Sequence, residues 1–134
     1  MIRITAVALT VCLAVAGCAK RDAACWKPPA SSPERDRTVL QMIASPDRNI
    51  QASGYALRVE RCIDRLANTY GRGRDSADVI AGAVVEECRG DIETQASIEA
   101  PTAEDTEFYT RTKLESAKRR ATILIVRDRA AKCI

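Results

Sequence analysis

A helical periodicity in the middle of the chain constrains the fold more than any other feature of the sequence. Apolar residues recur there at intervals of three and four, which is the spacing of one face of an α-helix. The residues of this face are Tyr55, Val59, Cys62, Ile63, Leu66 and Tyr70. At about 100° per residue, the other side of the same helix collects Arg58, Arg61, Arg65 and Arg72. The pattern predicts a long amphipathic helix with a basic outer side.

The residues that follow predict a tight turn into an antiparallel helix. Gly71 suits a left-handed C-terminal cap, and Asp75 or Ser76 can cap the start of the next helix. That helix is predicted from about Ala77 towards Ser97. Its apolar face consists of Ala77, Ile80, Ala81, Val84, Cys88 and Ile92. Because the turn is short, the two helices are expected to be antiparallel neighbours.

Two further start signals precede this pair of helices. Ser32 followed by Pro33 is typical of a helix N-terminus, and the first helix is predicted to end near Ala44. Residues 45–47 repeat the same signal and predict a short second piece. The pair Ser53-Gly54 is then expected to break or kink the chain.

The last helix is predicted from Thr102 to about Ala131. Thr102 and Asp105 have the spacing of a capping box at its start. The charged residues between positions 78 and 107 are acidic with the exception of Arg89, whereas those beyond position 107 are mostly basic. An acidic helix between basic helices can pack with complementary sides. The expected fold is therefore all-α, a small antiparallel helical bundle of three to four helices.

The N-terminus has the three-part layout of a secretory signal. Arg3 supplies a positive charge, an apolar run follows over residues 4–16, and small residues close the run. A membrane-spanning helix needs about 20 apolar residues, and the polar residues from Lys20 onwards end this run well before that length. A retained membrane-spanning anchor is therefore not expected.

The residues that end this run, Val15-Ala16-Gly17-Cys18, resemble a bacterial lipobox. The resemblance implies cleavage before Cys18, a lipid on that cysteine and, with Ala19 next to it, a location at the periplasmic face of the outer membrane. The alternative is ordinary cleavage after Ala16. The domain organisation that follows is a signal peptide over 1–17, a lipidated cysteine and Pro-rich tether over 18–32, and one helical domain over 33–134.

The lipobox resemblance leaves four cysteines for the mature protein, because Cys12 would leave with the signal and Cys18 would carry lipid. The four are Cys25, Cys62, Cys88 and Cys133. An even set in an exported chain is typical of disulfides, and four cysteines allow three connectivities. We expect two disulfides.

Counted from the turn that joins the two helices, Cys62 and Cys88 lie at distances along their helices that differ by roughly 7 Å, at ~1.5 Å per residue. A bond between them therefore needs some stagger of the helices or a longer turn. Cys133 is then left to pair with Cys25. The chain has no histidine and no Cys-x-x-Cys pair, so zinc and thioredoxin-like chemistry lack their usual ligands. No metal and no cofactor is expected.

The densest basic cluster lies near the C-terminus and comprises Lys118, Arg119 and Arg120, followed by Arg127, Arg129 and Lys132. This cluster can contact an anionic polymer or an acidic partner, and the alternative is that it pairs with the acidic helix. Arg127 and Asp128, together with Cys133, also resemble the closing segment of small four-cysteine lysozyme-inhibitor lipoproteins. That resemblance would make Asp128 an inhibitory contact.

The expected function is non-enzymatic: an envelope lipoprotein with a binding or structural role, held to the membrane by its lipid. Its expected partner is an envelope protein or a cell-wall polymer and not nucleic acid. The alternatives are a periplasmic inhibitor or immunity protein against a cell-wall lytic enzyme, and a carboxylate-dependent cell-wall hydrolase. Glu86 and Glu93 are the first candidates for such a hydrolase, but they share the outer face of one helix, which favours solvated surface charges over an acid and base in a cleft.

Overall fold

The computed structural model describes residues 30–131, which form four α-helices. They are α1 (Pro33–Ile43), α2 (Arg48–Tyr70), α3 (Ala77–Glu99) and α4 (Thr106–Ala130). Helices α2, α3 and α4 all contact one another, whereas α1 packs on α2 alone. The expected all-α fold is confirmed, as a three-helix bundle with a fourth, short helix added along α2.

Several sequence predictions fall outside the described residues. They are the signal peptide over 1–17, most of the tether over 18–32, the lipidation site Cys18, and the cysteines Cys25 and Cys133. Within residues 30–131, no helix has both the length and the apolar content needed to cross a membrane.

Two of the predicted helix starts are confirmed in detail. The hydroxyl of Ser32 accepts a hydrogen bond from the backbone N–H of Arg35 at 3.2 Å, with Pro33 in the first helical position. The hydroxyl of Ser76 accepts from the N–H of Val79 at 3.3 Å and caps α3. These bonds satisfy N–H groups that have no partner inside the helix. The local sequence therefore places both N-termini.

The predicted break at Ser53-Gly54 is wrong, since α2 continues through both residues. Ser53 donates its hydroxyl to the carbonyl of Asn49, one turn earlier in the same helix. Gly54 is buried beneath α1, where a Cβ atom would lie 2.9 Å from the backbone nitrogen of Ile43 and 2.9 Å from the Cβ of Met42. Glycine is present here because α1 approaches the backbone of α2 closely and not because the chain turns.

The C-terminus of α2 also differs from the prediction of a left-handed cap. Gly71 has the right-handed values φ −55° and ψ −21°. The guanidinium of Arg129, at the far end of α4, donates to the carbonyl of Gly71 at 3.0 Å and to that of Gly73 at 2.6 Å. A side chain from another helix thus satisfies two carbonyls of the turn that follows α2, while the N–H of Gly71 bonds the carbonyl of Ala67.

The start of α4 lies four residues later than predicted. The hydroxyl of Thr102 accepts from the N–H of Asp105 and donates to its carboxylate, so the expected pair does form. It closes a local turn, however, and the helix begins at Thr106. The capping-box pattern correctly identified the bond from the N–H of Asp105 to the Thr102 hydroxyl, but the helix boundary that it predicted is wrong.

The core lies between α2, α3 and α4. Its largest fully buried side chains are Ile63, Val84, Cys88, Ile92 and Ile125. The disulfide between Cys62 and Cys88 crosses from α2 to α3 at the edge of this core, with a Cα–Cα distance of 6.0 Å. One of the two expected disulfides, in a pairing that the sequence left open, is therefore present.

Candidate functional site

Helix geometry separates the basic cluster that the sequence predicted as a binding site. Successive residues of a helix point about 100° apart, so Lys118, Arg119 and Arg120 face three directions. Lys118 forms an ion pair with Asp78 of the acidic helix α3 at 2.8 Å. Arg119 is exposed, and within residues 30–131 its guanidinium has no hydrogen bond or ion pair. Pairing with α3 is therefore confirmed for Lys118.

Arg120 turns instead towards α2. Its Nε and Nη2 atoms each donate to one carboxylate oxygen of Asp64 at 3.0 Å, and Nη1 approaches Glu60 at 3.3 Å. Asp64 is buried, and its hydrogen bond raises the pKa of the Arg120 guanidinium. This two-pronged contact is the strongest geometry that arginine and a carboxylate can adopt. It joins α4 to α2 and is a structural contact.

Replacing Arg120 with methionine is expected to lower the free energy of unfolding by about 1–2 kcal/mol, because the buried carboxylate of Asp64 loses its cation while the side chain keeps some access to water. Lys118→Met is the matched control, since it removes a cation from an exposed pair on the same helix and is expected to change stability by about 0.5 kcal/mol or less. Chemical denaturation at neutral pH measures both. Equal losses in the two variants would contradict the assigned difference.

Asp128 is placed in the interior and not on the surface. Its side chain is 4% exposed, and the neighbouring Arg127 donates to its Oδ1 atom at 3.2 Å. It continues the buried stripe of α4 that contains Ala121 and Leu124. A partner protein docking on this surface would not reach the carboxylate of Asp128 without a rearrangement of α4. The placement does not favour the inhibitory contact that the C-terminal resemblance implied.

Glu86 and Glu93 lie on the exposed face of α3, on either side of Arg89. The guanidinium of Arg89 bonds Glu86 at 2.7 Å and Glu93 at 3.3 Å. The hydrogen bond from Arg89 lowers the pKa of Glu86. A general acid needs a raised pKa to hold its proton near neutral pH. The pKa of Glu86 is shifted in the opposite direction, which does not suit the acid of a carboxylate-dependent hydrolase.

A different set of charged residues meets at an open cleft between α1, α2 and α3. We call it the arginine cleft and define it by Arg35 of α1 with Arg58, Arg61 and Arg65 of α2. The cleft has a volume of about 710 Å³. The other lining residues are Ala30, Ser31, Asp36, Cys62, Asp64 and Asp91. The arginines of α2 come together because their spacing of three and four residues places them on one side of the helix.

The four arginines of the cleft fall into two pairs with different surroundings. Arg58 forms an ion pair with Asp91 of α3 at 2.9 Å, and Arg61 forms one with Asp36 of α1 at 2.8 Å. In contrast, the guanidinium groups of Arg35 and Arg65 have no hydrogen bond or ion pair among the residues that the structure describes. The cleft therefore contains two cations held by carboxylates and two that face solvent.

A tyrosine–carboxylate contact lies nearer the α2–α3 turn, beyond the residues that line the cleft. The hydroxyl of Tyr70 donates to Glu87 at 2.5 Å, and this bond raises the pKa of Tyr70. The positive charge of Arg65 acts on the same hydroxyl and partly offsets the shift. The Glu87 carboxylate is thus engaged by Tyr70.

The sequence contained half of this site. The spacing of Arg58, Arg61 and Arg65 indicated a basic side of α2, but no local pattern indicated that α1 would add Arg35 and Asp36 to it. Arg72, the fourth member of that predicted set, lies beyond the helix in the turn. In residues 30–131, no group of three or more Cys, Asp and Glu side chains is arranged to hold a metal ion. Comparisons of the chain with protein-family models, with curated proteins and with solved structures found no match.

Proposed function

We propose that this chain is a lipid-anchored protein of the cell envelope with a non-enzymatic binding or structural role. The observation that carries the proposal is the disulfide between Cys62 and Cys88. Disulfides form and persist in oxidising compartments such as the periplasm and are rare in the cytosol. An oxidised pair at the edge of the core therefore supports the export that the lipobox-like N-terminus implies. A second disulfide between Cys25 and Cys133 is part of the proposal.

The carboxylates of Asp64, Asp91 and Glu86 form ion pairs with arginines, and this supports a non-enzymatic role. Asp64 and Asp91 form ion pairs that join helices, and Glu86 is held in its charged form by Arg89. Each of these groups has a structural or surface partner that accounts for its position. The open arginine cleft is the better candidate for contact with another molecule, because it combines a concave shape with charged groups that have no partner in the described chain.

Lipid attachment is tested by metabolic labelling with a tritiated fatty acid in a Gram-negative host that expresses the full chain. We expect the wild-type protein to incorporate label and Cys18→Ser to lose it, because the thiol of Cys18 is the proposed acceptor. Cys12→Ser is the matched control, since it removes a thiol of the same apolar segment and is expected to keep the label.

The mass of the mature N-terminus distinguishes the proposal from ordinary secretion. A lipid-bearing N-terminal cysteine at position 18 supports it. An unlabelled protein that begins at Gly17 would contradict it, because that product is the one expected from cleavage after Ala16.

A further inference from the structure

We infer that the arginine cleft is a binding site for a phosphate group carried on an organic molecule, with Arg35 and Arg65 as the residues that bind the phosphate. This site goes beyond the proposed function and does not depend on lipid attachment. The inference rests on the position, the pairing and the number of the arginines around one concave space.

Arg35 and Arg65, which have no hydrogen bond or ion pair among residues 30–131, line the same cleft from two different helices. Asp36 bonds Arg61 across α1 and α2 at 2.8 Å. This ion pair holds α1 against α2, and Arg65 follows Arg61 by one helical turn, about 6 Å along the axis of α2. Both unpaired residues are exposed and line the same cleft. A ligand in the cleft can therefore contact both guanidinium groups together.

The number of donors favours phosphate over a single carboxylate. One guanidinium binds one carboxylate through two parallel hydrogen bonds, as Arg120 does with Asp64. Two unpaired guanidinium groups facing one space present twice that number of donors and two positive charges. A phosphate monoester or diphosphate matches them, because it has more than one negative charge and at least three acceptor oxygens.

The size of the cleft leaves room for a phosphate that is attached to a larger group. Its volume of about 710 Å³ lies within the range of about 300–1,000 Å³ that is typical of small-molecule sites. A bare phosphate ion would fill only a small part of it. A sugar phosphate and a phospholipid headgroup both have the required chemistry, and they differ in whether the phosphate is free in solution or part of a membrane.

The carboxylates of the cleft repel a bound anion. Removing one of them is therefore expected to strengthen anion binding, whereas removing an arginine is expected to weaken it. Asp91 neutralises Arg58 at 2.9 Å and repels a negative ligand in the same space. Replacing Asp91 with asparagine removes the repulsion and makes the Arg58 guanidinium available. Anion binding is therefore expected to strengthen when this acid is removed.

The first experiment is isothermal titration calorimetry of the full chain, in neutral detergent and at low ionic strength, with pyrophosphate, glucose 1-phosphate and acetate. We expect the two phosphate compounds to bind more tightly than acetate. Arg35→Ala and Arg65→Ala are each expected to weaken binding of the phosphate compounds by about tenfold or more, because each variant loses charged hydrogen bonds. Arg119→Ala is the matched control, since it removes an exposed and unpaired arginine from α4, and it is expected to bind as the wild type does.

The second experiment compares two acids of α3 that each pair with an arginine. Asp91→Asn is expected to tighten pyrophosphate binding by several-fold, whereas Glu93→Gln, on the exposed face beside Arg89, is expected to leave it unchanged. If Asp91 had only a structural role, replacing it would weaken pyrophosphate binding or leave it unchanged. A gain in affinity confined to Asp91→Asn therefore supports the site, and its absence counts against it.

Vesicle binding distinguishes the two sources of the phosphate. The full chain with Cys18→Ser, alone and combined with Arg65→Ala, is mixed with phosphatidylcholine vesicles that contain or lack phosphatidic acid, and bound protein is measured by flotation. Cys18→Ser removes the proposed lipid, which would otherwise carry the protein to every vesicle. Recruitment that requires both phosphatidic acid and Arg65 identifies a lipid headgroup, whereas phosphate binding in solution without such recruitment identifies a soluble phosphate compound. The inference is overturned if neither phosphate compound binds more tightly than acetate, or if Arg119→Ala loses as much affinity as Arg65→Ala.

Discussion

Replacing both Cys62 and Cys88 with alanine is expected to lower the free energy of unfolding by about 3–4 kcal/mol. The disulfide links positions that are separated by 26 residues, and closing a loop of that length in the unfolded chain accounts for a stabilisation of this size. Cys88 is also fully buried in the core, so the substitution removes packing contacts there. Small domains have a total stability of about 5–15 kcal/mol, so this loss is a large part of the whole.

Guanidinium chloride denaturation of the oxidised wild type, the reduced wild type and the double variant measures the effect. The double variant removes only the bond between Cys62 and Cys88, whereas a reductant acts on every disulfide. A further loss of stability in the reduced wild type would report the proposed bond between Cys25 and Cys133. An oxidised wild type with the same stability as the double variant would contradict the structural role of the observed disulfide.

Gly54→Ala is expected to lower the free energy of unfolding by about 1–3 kcal/mol, the usual range for inserting a methyl group into a packed interior. The new Cβ would lie 2.9 Å from the backbone nitrogen of Ile43 and 2.9 Å from the Cβ of Met42. These two atoms belong to the backbone of α1 or are attached directly to it, so a side-chain rotation cannot relieve the contact. The whole of α1 must move away from α2.

Gly90→Ala is the matched control and is expected to raise the free energy of unfolding instead of lowering it. Gly90 also lies inside a helix, but on the exposed side of α3, where a Cβ would meet no atom within 4 Å. Alanine is favoured over glycine in a helix by about 0.5–1 kcal/mol, so this variant is expected to be more stable than the wild type. Thermal or chemical denaturation of both variants tests the pair, and stabilisation by Gly54→Ala would show that α1 does not press on α2 as described.

The arginine cleft could be predicted from the sequence only in part. Lys118, Arg119 and Arg120 form the densest basic run in the chain, yet consecutive residues of a helix diverge, and the run forms no common surface. Arg58 and Arg65 are seven residues apart and less conspicuous, but two helical turns place them on the same side. Arg35, the second proposed phosphate-binding residue beside Arg65, comes from another helix, and only the packing of α1 on α2 brings it to the cleft.

The sequence by itself determined the helices and most of their boundaries, because hydrophobic periodicity and capping residues such as Ser32 and Ser76 act over a few neighbouring positions. The tertiary structure alone decided the role of Gly54 beneath α1, the cap that Arg129 provides for Gly71, the burial of Asp128 and the assembly of the arginine cleft. Each of these depends on which helices touch and at what depth. Contacts between residues far apart in the chain fix those quantities, and no local pattern encodes them.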